Sequence, residues 1–167
     1  MICNKNYRLS FTEKARAILS KLSLEEKIYL MSGRVSLEQI KTDLRSGKHY
    51  NYKPYPAGGN EEHGIPELRF CDGARGVVCG NSTCFPVPMA RGATFDPELE
   101  RKIGKAIARE IKVYGGNLFG GICVNVPYNP GWGRSQEVYG EDPYHIGQMG
   151  SALVQGVQEE NVIACIK

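Results

Sequence analysis

The sequence lacks any apolar run long enough to cross a membrane, and its first residues lack the apolar core of a secretory signal. A membrane span needs about 20 consecutive apolar residues, and a signal peptide needs an apolar core of about 7–15. The stretch from Met1 to Arg8 is polar instead. We therefore expect a cytoplasmic protein with reduced cysteines and no membrane partner.

A strong charge of either sign is also missing. The chain carries 21 Lys and Arg residues against 18 Asp and Glu residues, which leaves a net charge of +3. The basic residues are scattered among acidic ones and form no run of like charge. Nucleic-acid binders usually concentrate basic residues on one face or segment, so we expect no nucleic-acid partner.

Paired-cysteine motifs are absent, although the chain has six cysteines, at positions 3, 71, 79, 84, 123 and 165. Cys71, Cys123 and Cys165 lie in apolar, strand-like runs, where cysteine usually behaves as a small buried hydrophobe. Only Cys79 and Cys84 stand close enough in sequence to pair across a short loop, and the spacing leaves that pairing open.

No metal or cofactor motif is found either. His49, His63 and His145 share no ligand spacing, so we expect no metal site. The glycine-rich stretch 115–121 superficially resembles a dinucleotide loop, but it follows a helix and enters a strand. Phosphate binding needs the opposite order, a strand followed by a loop and a helix N-terminus, and no cofactor is therefore predicted.

What the sequence does contain is an alternation of strands and helices. The predicted strands are 68–71, 117–126 and 162–166, and the predicted helices between them are 97–114 and 143–159. Short, continuously apolar strands separated by helices are typical of a parallel sheet with crossover helices. The pattern predicts an α/β fold, and a doubly wound sheet and a barrel both fit it.

The first 67 residues have a different character. Ser23 and Glu26 form a capping box at the start of an amphipathic helix, which is expected to end at Gly33. Residues 34–67 are polar and broken by prolines, and we interpret them as a long loop with one short helix near 37–44. The predicted division is a lead-in of helices and loop at 1–67, followed by βα units at 68–167.

Three polar residues occupy the places where predicted strands end or the following loops run. Asp72 follows the first strand, Arg134 lies in the loop after the second, and Lys167 follows the third. Functional residues of parallel α/β folds gather at this edge because all strand carboxyl ends face the same way. A carboxylate, a guanidinium and an ammonium would suit a polyhydroxylated ligand. Trp132, Tyr128 and Tyr139 are expected to add apolar faces on which sugar C–H surfaces can pack.

Several motifs around these residues resemble glycoside hydrolase family 3. They are GIPELRFCDG at 64–73, TCFP at 83–86, ATFDPEL at 93–99, GRSQE at 133–137, YGEDPY at 139–144 and VIACIK at 162–167. The resemblance runs from about residue 23 to 167 in the family's order and spacing. Any one motif would be weak evidence, but several in register make the likeness specific.

The resemblance implies a fold and a reaction. The fold is a partial (β/α)8 TIM-like barrel, truncated after about the third or fourth βα unit, since a full barrel needs about 250 residues. The activity is retaining, β-glucosidase-like hydrolysis of O-glycosidic bonds. The family's nucleophile, an Asp on a later strand, and its acid/base, usually from a following domain, have no counterpart here. The expected partners are a carbohydrate substrate and the remainder of the same polypeptide.

The resemblance also assigns roles to single residues. It implies that Asp72, Arg134 and Lys167 hold the hydroxyls of the sugar in the cleavage subsite. Arg75, Glu137 and Trp132 are candidate supporting residues. We expect Glu137 to brace Arg134 and Asp142 to cap a helix, and we assign no catalytic residue to this chain.

Two departures from the family pattern leave the sugar open. Many relatives carry an arginine six residues after the Asp72 position, where this chain has Val78, and Arg75 is a candidate substitute. Gln136 stands where aromatic residues are common. A glucoside, a xyloside and an N-acetylhexosaminide all stay possible. The alternative function is a non-catalytic sugar-binding or regulatory remnant of the same fold.

Overall fold

The computed structural model describes Tyr7 and residues 9–167, and it begins with three short helices: α1 (Thr12–Leu19), α2 (Leu24–Leu30) and α3 (Leu37–Arg45). The capping box of α2 is confirmed, because the Glu26 amide donates to Ser23 Oγ at 3.1 Å and the Ser23 amide donates to Glu26 Oε2 at 2.7 Å. Helix α2 ends before the predicted Gly33. The short helix predicted near 37–44 is confirmed as α3. Cys3 lies outside the described residues.

A four-stranded sheet follows, made of β1 (Tyr55–Ala57), β2 (Leu68–Cys71), β3 (Leu118–Ile122) and β4 (Ile163–Ile166). The strands lie side by side in chain order. Strand β1 runs antiparallel to β2, whereas β2, β3 and β4 are parallel to one another. The parallel part of the sheet therefore has its carboxyl ends at one edge, as the sequence predicted.

Strand β1 is an addition that the sequence did not indicate, because it lies in the segment predicted as loop. Its central residue is Pro56, which has no amide hydrogen to donate, and proline is tolerated mainly on edge strands. Tyr55 is paired with Phe70, and Ala57 with Leu68. The segment before residue 67 thus supplies one of the two outer strands of the described sheet.

The remaining helices are α4 (Pro88–Gly92), α5 (Pro97–Val113) and α6 (Pro143–Glu159), with a 3-10 turn at Ser135–Glu137. Both predicted Asp-Pro starts are confirmed. Asp96 accepts from the Leu99 amide at 2.9 Å, and Asp142 accepts from the His145 amide at 2.7 Å. Helix α4 was not predicted, since five residues are too few to show a helical period.

Strand β3 is shorter than the predicted 117–126. Its pairing with β4 shifts register between Phe119 and Ile122, and the chain beyond Ile122 leaves the sheet. One further contact is made there, where the Val124 amide donates to the Lys167 carbonyl at 2.9 Å. Residues 123–126 therefore belong to the loop that borders the strand ends.

The arrangement of strands and helices is that of successive βα units wound in one direction, as a barrel requires. The parallel strands advance in one direction across the sheet, and crossovers of the usual right-handed sense then place successive helices on the same face. Helices α5 and α6 do share a face, since they pack against each other along their length. The fold is an α/β partial barrel, as predicted.

The core lies between this helix pair and the sheet. Its fully buried side chains come from both helices, from β2 and β3, and from the loop after β2: Cys71, Cys79, Ile107, Ala108, Ile111, Phe119, Ile122, Met149, Leu153 and Val157. Cys71 and Cys123 are buried as expected, but Cys165 is exposed, because β4 is an outer strand of the described sheet. Among the described helices, none combines the length and apolar character that a membrane span requires.

Candidate functional site

The strand ends bring Asp72 and Lys167 into direct contact. Asp72 follows β2 and Lys167 follows β4, and the Lys167 Nζ atom lies 3.1 Å from Asp72 Oδ1. The Lys167 amide donates to the Ile122 carbonyl at 2.9 Å, which carries the β3–β4 pairing up to this residue. The two side chains are therefore positioned by the sheet itself.

Asp72 is held in place by a buried asparagine that the sequence analysis missed. Asn51, which is fully buried, accepts from the Asp72 amide at 2.6 Å through Oδ1 and donates from Nδ2 to the Phe70 carbonyl at 3.1 Å. One side chain thus satisfies the backbone on both sides of Cys71. The neighbouring Tyr50 borders the cavity, and burial, followed by the negative charge of Asp72, raises the pKa of its phenol.

The loop after Asp72 packs directly against β3. A side chain at Gly121 would place its Cβ 1.3 Å from the Gly73 carbonyl oxygen, so only glycine fits there. Gly73 itself has a φ of 143°, a conformation that other residues rarely adopt. These two glycines allow the loop to fold flat over the strand end and to carry Ala74 and Arg75 along the cavity.

Arg134 enters the site from the loop after β3 and is braced by Glu137, as expected. Arg134 Nε lies 2.8 Å from Glu137 Oε1, and Nη2 lies 2.6 Å from Oε2, which makes a two-point ion pair. Hydrogen bonding to Arg134 lowers the pKa of Glu137. The Cys123 thiol lies 3.7 Å from Glu137 Oε2, and burial raises the pKa of that thiol.

A cavity of about 400 Å³ connects these groups. Asp72, Arg134 and Lys167 all line it, together with the supporting candidates Arg75 and Glu137. Val78 and Gln136, the two departures from the family pattern, also line this cavity. The structure therefore brings together five of the six residues singled out from the sequence.

Trp132, the sixth, lines a smaller neighbouring cavity of about 230 Å³ that it shares with Arg134, Glu137 and Lys167. Tyr128 is 90% exposed and borders a third hollow beside Trp132. Tyr139 was expected to offer an apolar face to a ligand, and that prediction is wrong. It is 2% exposed and donates its hydroxyl to Glu100 Oε1 at 2.6 Å, because the chain turns inward after the 3-10 turn.

Cys79 and Cys84 do not pair. Both are free thiols, Cys79 buried and Cys84 exposed. Cys79 instead interacts with Cys71, and hydrogen bonding between the two thiols, together with burial, raises the pKa of Cys71. In the part of the chain that the structure describes, no three metal-ligating side chains come together. His145 Nε2 lies 3.0 Å from the Gly92 carbonyl oxygen and packs at Phe95.

The arrangement suits recognition of hydroxyl groups. A carboxylate accepts hydrogen bonds, an ammonium and a guanidinium donate them, and such charge-assisted bonds are the strong ones. The two carboxylates of the cavity, Asp72 and Glu137, are each paired with a cation. The described residues thus present hydrogen-bonding groups for a polyol, and the carboxylates among them are engaged in ion pairs.

Comparison with known proteins gives one consistent result. Residues 31–167 match the model of the glycosyl hydrolase family 3 N-terminal domain. A β-glucosidase from Rhizobium radiobacter is 32% identical over 162 residues, which cover 90% of this chain and 17% of that enzyme. β-Glucosidase 2 from Saccharomycopsis fibuligera is 34% identical over 160 residues, covering 92% of this chain and 16% of that enzyme.

A solved structure shares the fold. β-Glucosidase 3B from Thermotoga neapolitana, in complex with glucose, superposes with a TM-score of 0.78 and 32% sequence identity. The match covers 92% of this chain and 22% of that enzyme. The chain therefore spans about a fifth or less of the length of these relatives.

Proposed function

Because this chain belongs to glycosyl hydrolase family 3, we propose that it supplies the sugar-binding part of the cleavage subsite in a polypeptide that hydrolyses β-glucosides. The observation that carries the proposal is the meeting of Asp72, Arg134 and Lys167 on one cavity at the carboxyl ends of the strands. Its volume of about 400 Å³ lies within the usual range for small-molecule sites. The relatives named above are β-glucosidases, which favours glucose as the sugar.

The three residues supply one hydrogen-bond acceptor and two donors in the proposed site. Asp72 accepts hydrogen bonds from sugar hydroxyls, and its contact with Lys167 holds the carboxylate in place. Lys167 and Arg134 donate to hydroxyl oxygens, and Glu137 keeps the Arg134 guanidinium in one orientation. These bonds are expected to strengthen as the oxocarbenium-like transition state forms, so they contribute to the rate as well as to binding.

The chemistry itself is assigned to the remainder of the same polypeptide. Retaining hydrolysis needs a nucleophilic carboxylate and an acid/base carboxyl about 5–5.5 Å apart. Glu137 is committed to Arg134 and Asp142 caps α6, so neither is a candidate for those roles. We expect the isolated 167-residue chain to bind glucose without hydrolysing a nitrophenyl β-glucoside.

The test uses the complete polypeptide and a nitrophenyl β-glucoside. Asp72→Asn and Arg134→Met each remove a charged partner of a sugar hydroxyl, and kcat/KM should fall about 10- to 100-fold, as expected for loss of about 1.5–3 kcal/mol. Lys102→Met, at an exposed position of α5, is the matched control and should have no effect. Wild-type kcat/KM in either site variant would remove that residue from the site.

A further inference from the structure

A buried charged cluster contacts the lining of the cavity and has no part in the roles described above. It consists of Arg91 on α4, Glu100 on α5 and Tyr139 after the 3-10 turn, and all three are at most 2% exposed. Tyr139 donates its hydroxyl to Glu100 Oε1 at 2.6 Å, and Arg91 Nε lies 3.3 Å from Glu100 Oε2. The Arg91 guanidinium also faces the Tyr139 ring, 5.9 Å from its centroid.

The cluster connects to three of the segments that line the cavity. Arg91 Nη2 donates to the Ala74 carbonyl at 3.1 Å, and Ala74 lies in the loop that begins at Asp72. Tyr139 stands two residues after Glu137, which braces Arg134. Helix α4 contributes Pro88 to the cavity wall, and its Gly92 packs so closely on Tyr139 that a Cβ would lie 2.0 Å from the Tyr139 carbonyl oxygen.

Three apolar side chains at these positions would stabilise the fold to the same degree as the charged cluster does. The reason is that the desolvation penalty of a buried ion pair usually cancels its electrostatic attraction. The cluster is not even optimally satisfied. In the described chain, Arg91 Nε and Nη1 and Glu100 Oε2 make no aligned hydrogen bond. Burial raises the pKa of Glu100, which the Arg91 charge opposes. What the charged groups supply that an apolar trio could not is direction, because Arg91 reaches a specific carbonyl of the Asp72 loop.

We infer that Arg91, Glu100 and Tyr139 are positioning residues, which hold the Asp72 loop and the Arg134–Glu137 segment at a common spacing across the cavity. Arg91 acts on the loop through Ala74, and Tyr139 acts on the Arg134 side through the backbone. Glu100 joins the two. The positioning rests on contacts within this chain, and only its kinetic consequence rests on the proposed function.

The first experiment measures the opening of the Asp72 loop by amide hydrogen exchange in the complete polypeptide. Tyr139→Phe removes one hydroxyl and keeps the ring, and Tyr144→Phe, at an exposed position on α6, is the matched control. The reporters are the Val78 amide, which donates to the Asp72 carbonyl at 3.0 Å, and the Phe85 amide, which donates to the Arg75 carbonyl at 2.8 Å. We expect exchange at both to rise about tenfold in Tyr139→Phe alone.

The second experiment measures the consequence in the complete polypeptide. Tyr139→Phe should lower kcat on a nitrophenyl β-glucoside about tenfold with little change in KM, because misplaced groups lose mainly transition-state contacts. In an Asp72→Asn background the same substitution should lower kcat by clearly less than in the parent, since part of its effect acts through the Asp72 loop. Glu100→Gln should behave as Tyr139→Phe does.

The possible outcomes distinguish failure of the positioning inference from failure of the proposed function. Unchanged exchange at Val78 and Phe85 in Tyr139→Phe overturns the inference, whatever the activity. An equal loss of kcat in the parent and Asp72→Asn backgrounds also overturns it, since the cluster would then be structural only. A parent polypeptide that is inactive on β-glucosides overturns the proposed function, and exchange then decides the positioning by itself.

Discussion

At the scale of single residues, the site depends on a few side chains that satisfy the backbone where the strands end. Asn51 is the main example, because its amide bonds both the Phe70 carbonyl and the Asp72 amide in a fully buried position. A buried backbone group that loses its partner costs about 1–3 kcal/mol. The position of Asp72 is therefore coupled to the stability of the fold.

Asn51→Ala should lower the free energy of unfolding by about 2–4 kcal/mol, because two backbone groups lose their partner together. Urea unfolding followed by circular dichroism measures the change. Asn81→Ala, at an exposed position, is the control and should stay within about 0.5 kcal/mol of the parent. Equal stability of the two variants would contradict the bracing role of Asn51.

The Arg134–Glu137 pair predicts a dependence on pH. Hydrogen bonding to Arg134 lowers the pKa of Glu137 in the folded state, so the folded protein binds this proton less readily than the unfolded chain. The pair therefore stabilises the fold above the ordinary glutamate pKa, and this contribution is lost as pH falls through the lowered pKa. Because Arg134 is 61% exposed, the contribution should be about 1 kcal/mol or less.

The measurement compares the parent with Glu137→Gln by urea unfolding between pH 7 and pH 3. The parent should be the more stable at pH 7, and the difference should shrink towards zero at the acid end. A difference that is constant over this range would mean that the pair's charge does not contribute.

At the scale of elements, the packing of α5 against α6 forms the helix layer that covers the sheet. The helices meet at Gly104 and Gly156, where a Cβ on Gly156 would lie 2.1 Å from the Arg101 carbonyl oxygen. Ion pairs flank the crossing, with Arg101 on Glu159 at 2.7 Å and Arg109 on Glu160 at 2.9 Å. The close approach requires glycine, and the surface charges add little to it.

Gly156→Ala should destabilise the chain by about 1–3 kcal/mol, because the added methyl forces the two helix backbones apart. Gly147→Ala, in the same helix, is the matched control, since a Cβ there meets nothing within 4 Å. The control should be unchanged or stabilised by up to about 1 kcal/mol, because alanine favours the helix. Thermal unfolding of both variants provides the measurement, and a similar shift in both would contradict the packing argument.

At the scale of the whole molecule, the sheet has an unpartnered side. Strand β4 pairs only with β3 among the described strands, and its Ile163 and Ile166 are 48% and 61% exposed. A barrel closes its sheet so that no such edge is left. An apolar edge strand offers unpaired backbone groups and side chains to another chain.

We therefore predict that the 167-residue chain binds a hydrophobic dye and associates through β4. Ile166→Lys should reduce both, because a charge on an edge strand opposes pairing with a second copy. Val113→Lys introduces the same charge at a residue that is 83% exposed at the end of α5, and it should change neither. Dye fluorescence and analytical ultracentrifugation measure the two effects. A monodisperse monomer without dye binding would contradict the prediction.

The sequence by itself determined the features that depend only on a few neighbouring residues. The helix starts at Asp96 and Asp142 follow from a side chain that caps an amide three residues on, and such signals need no tertiary context. The meeting of Asp72 and Lys167 was also predictable, although they are 95 residues apart, because parallel strands place their carboxyl ends at one edge.

Only the tertiary structure decided which other residues take part. Asn51 lies 21 residues before Asp72, and Glu100 lies 39 residues before Tyr139, with no periodic pattern linking either pair. Tyr139 was wrongly predicted to face a ligand, because an aromatic residue near a polar loop is equally compatible with a ligand-binding surface and with a buried cluster. Its burial depends on the packing of three elements, and no local stretch of sequence encodes that contact.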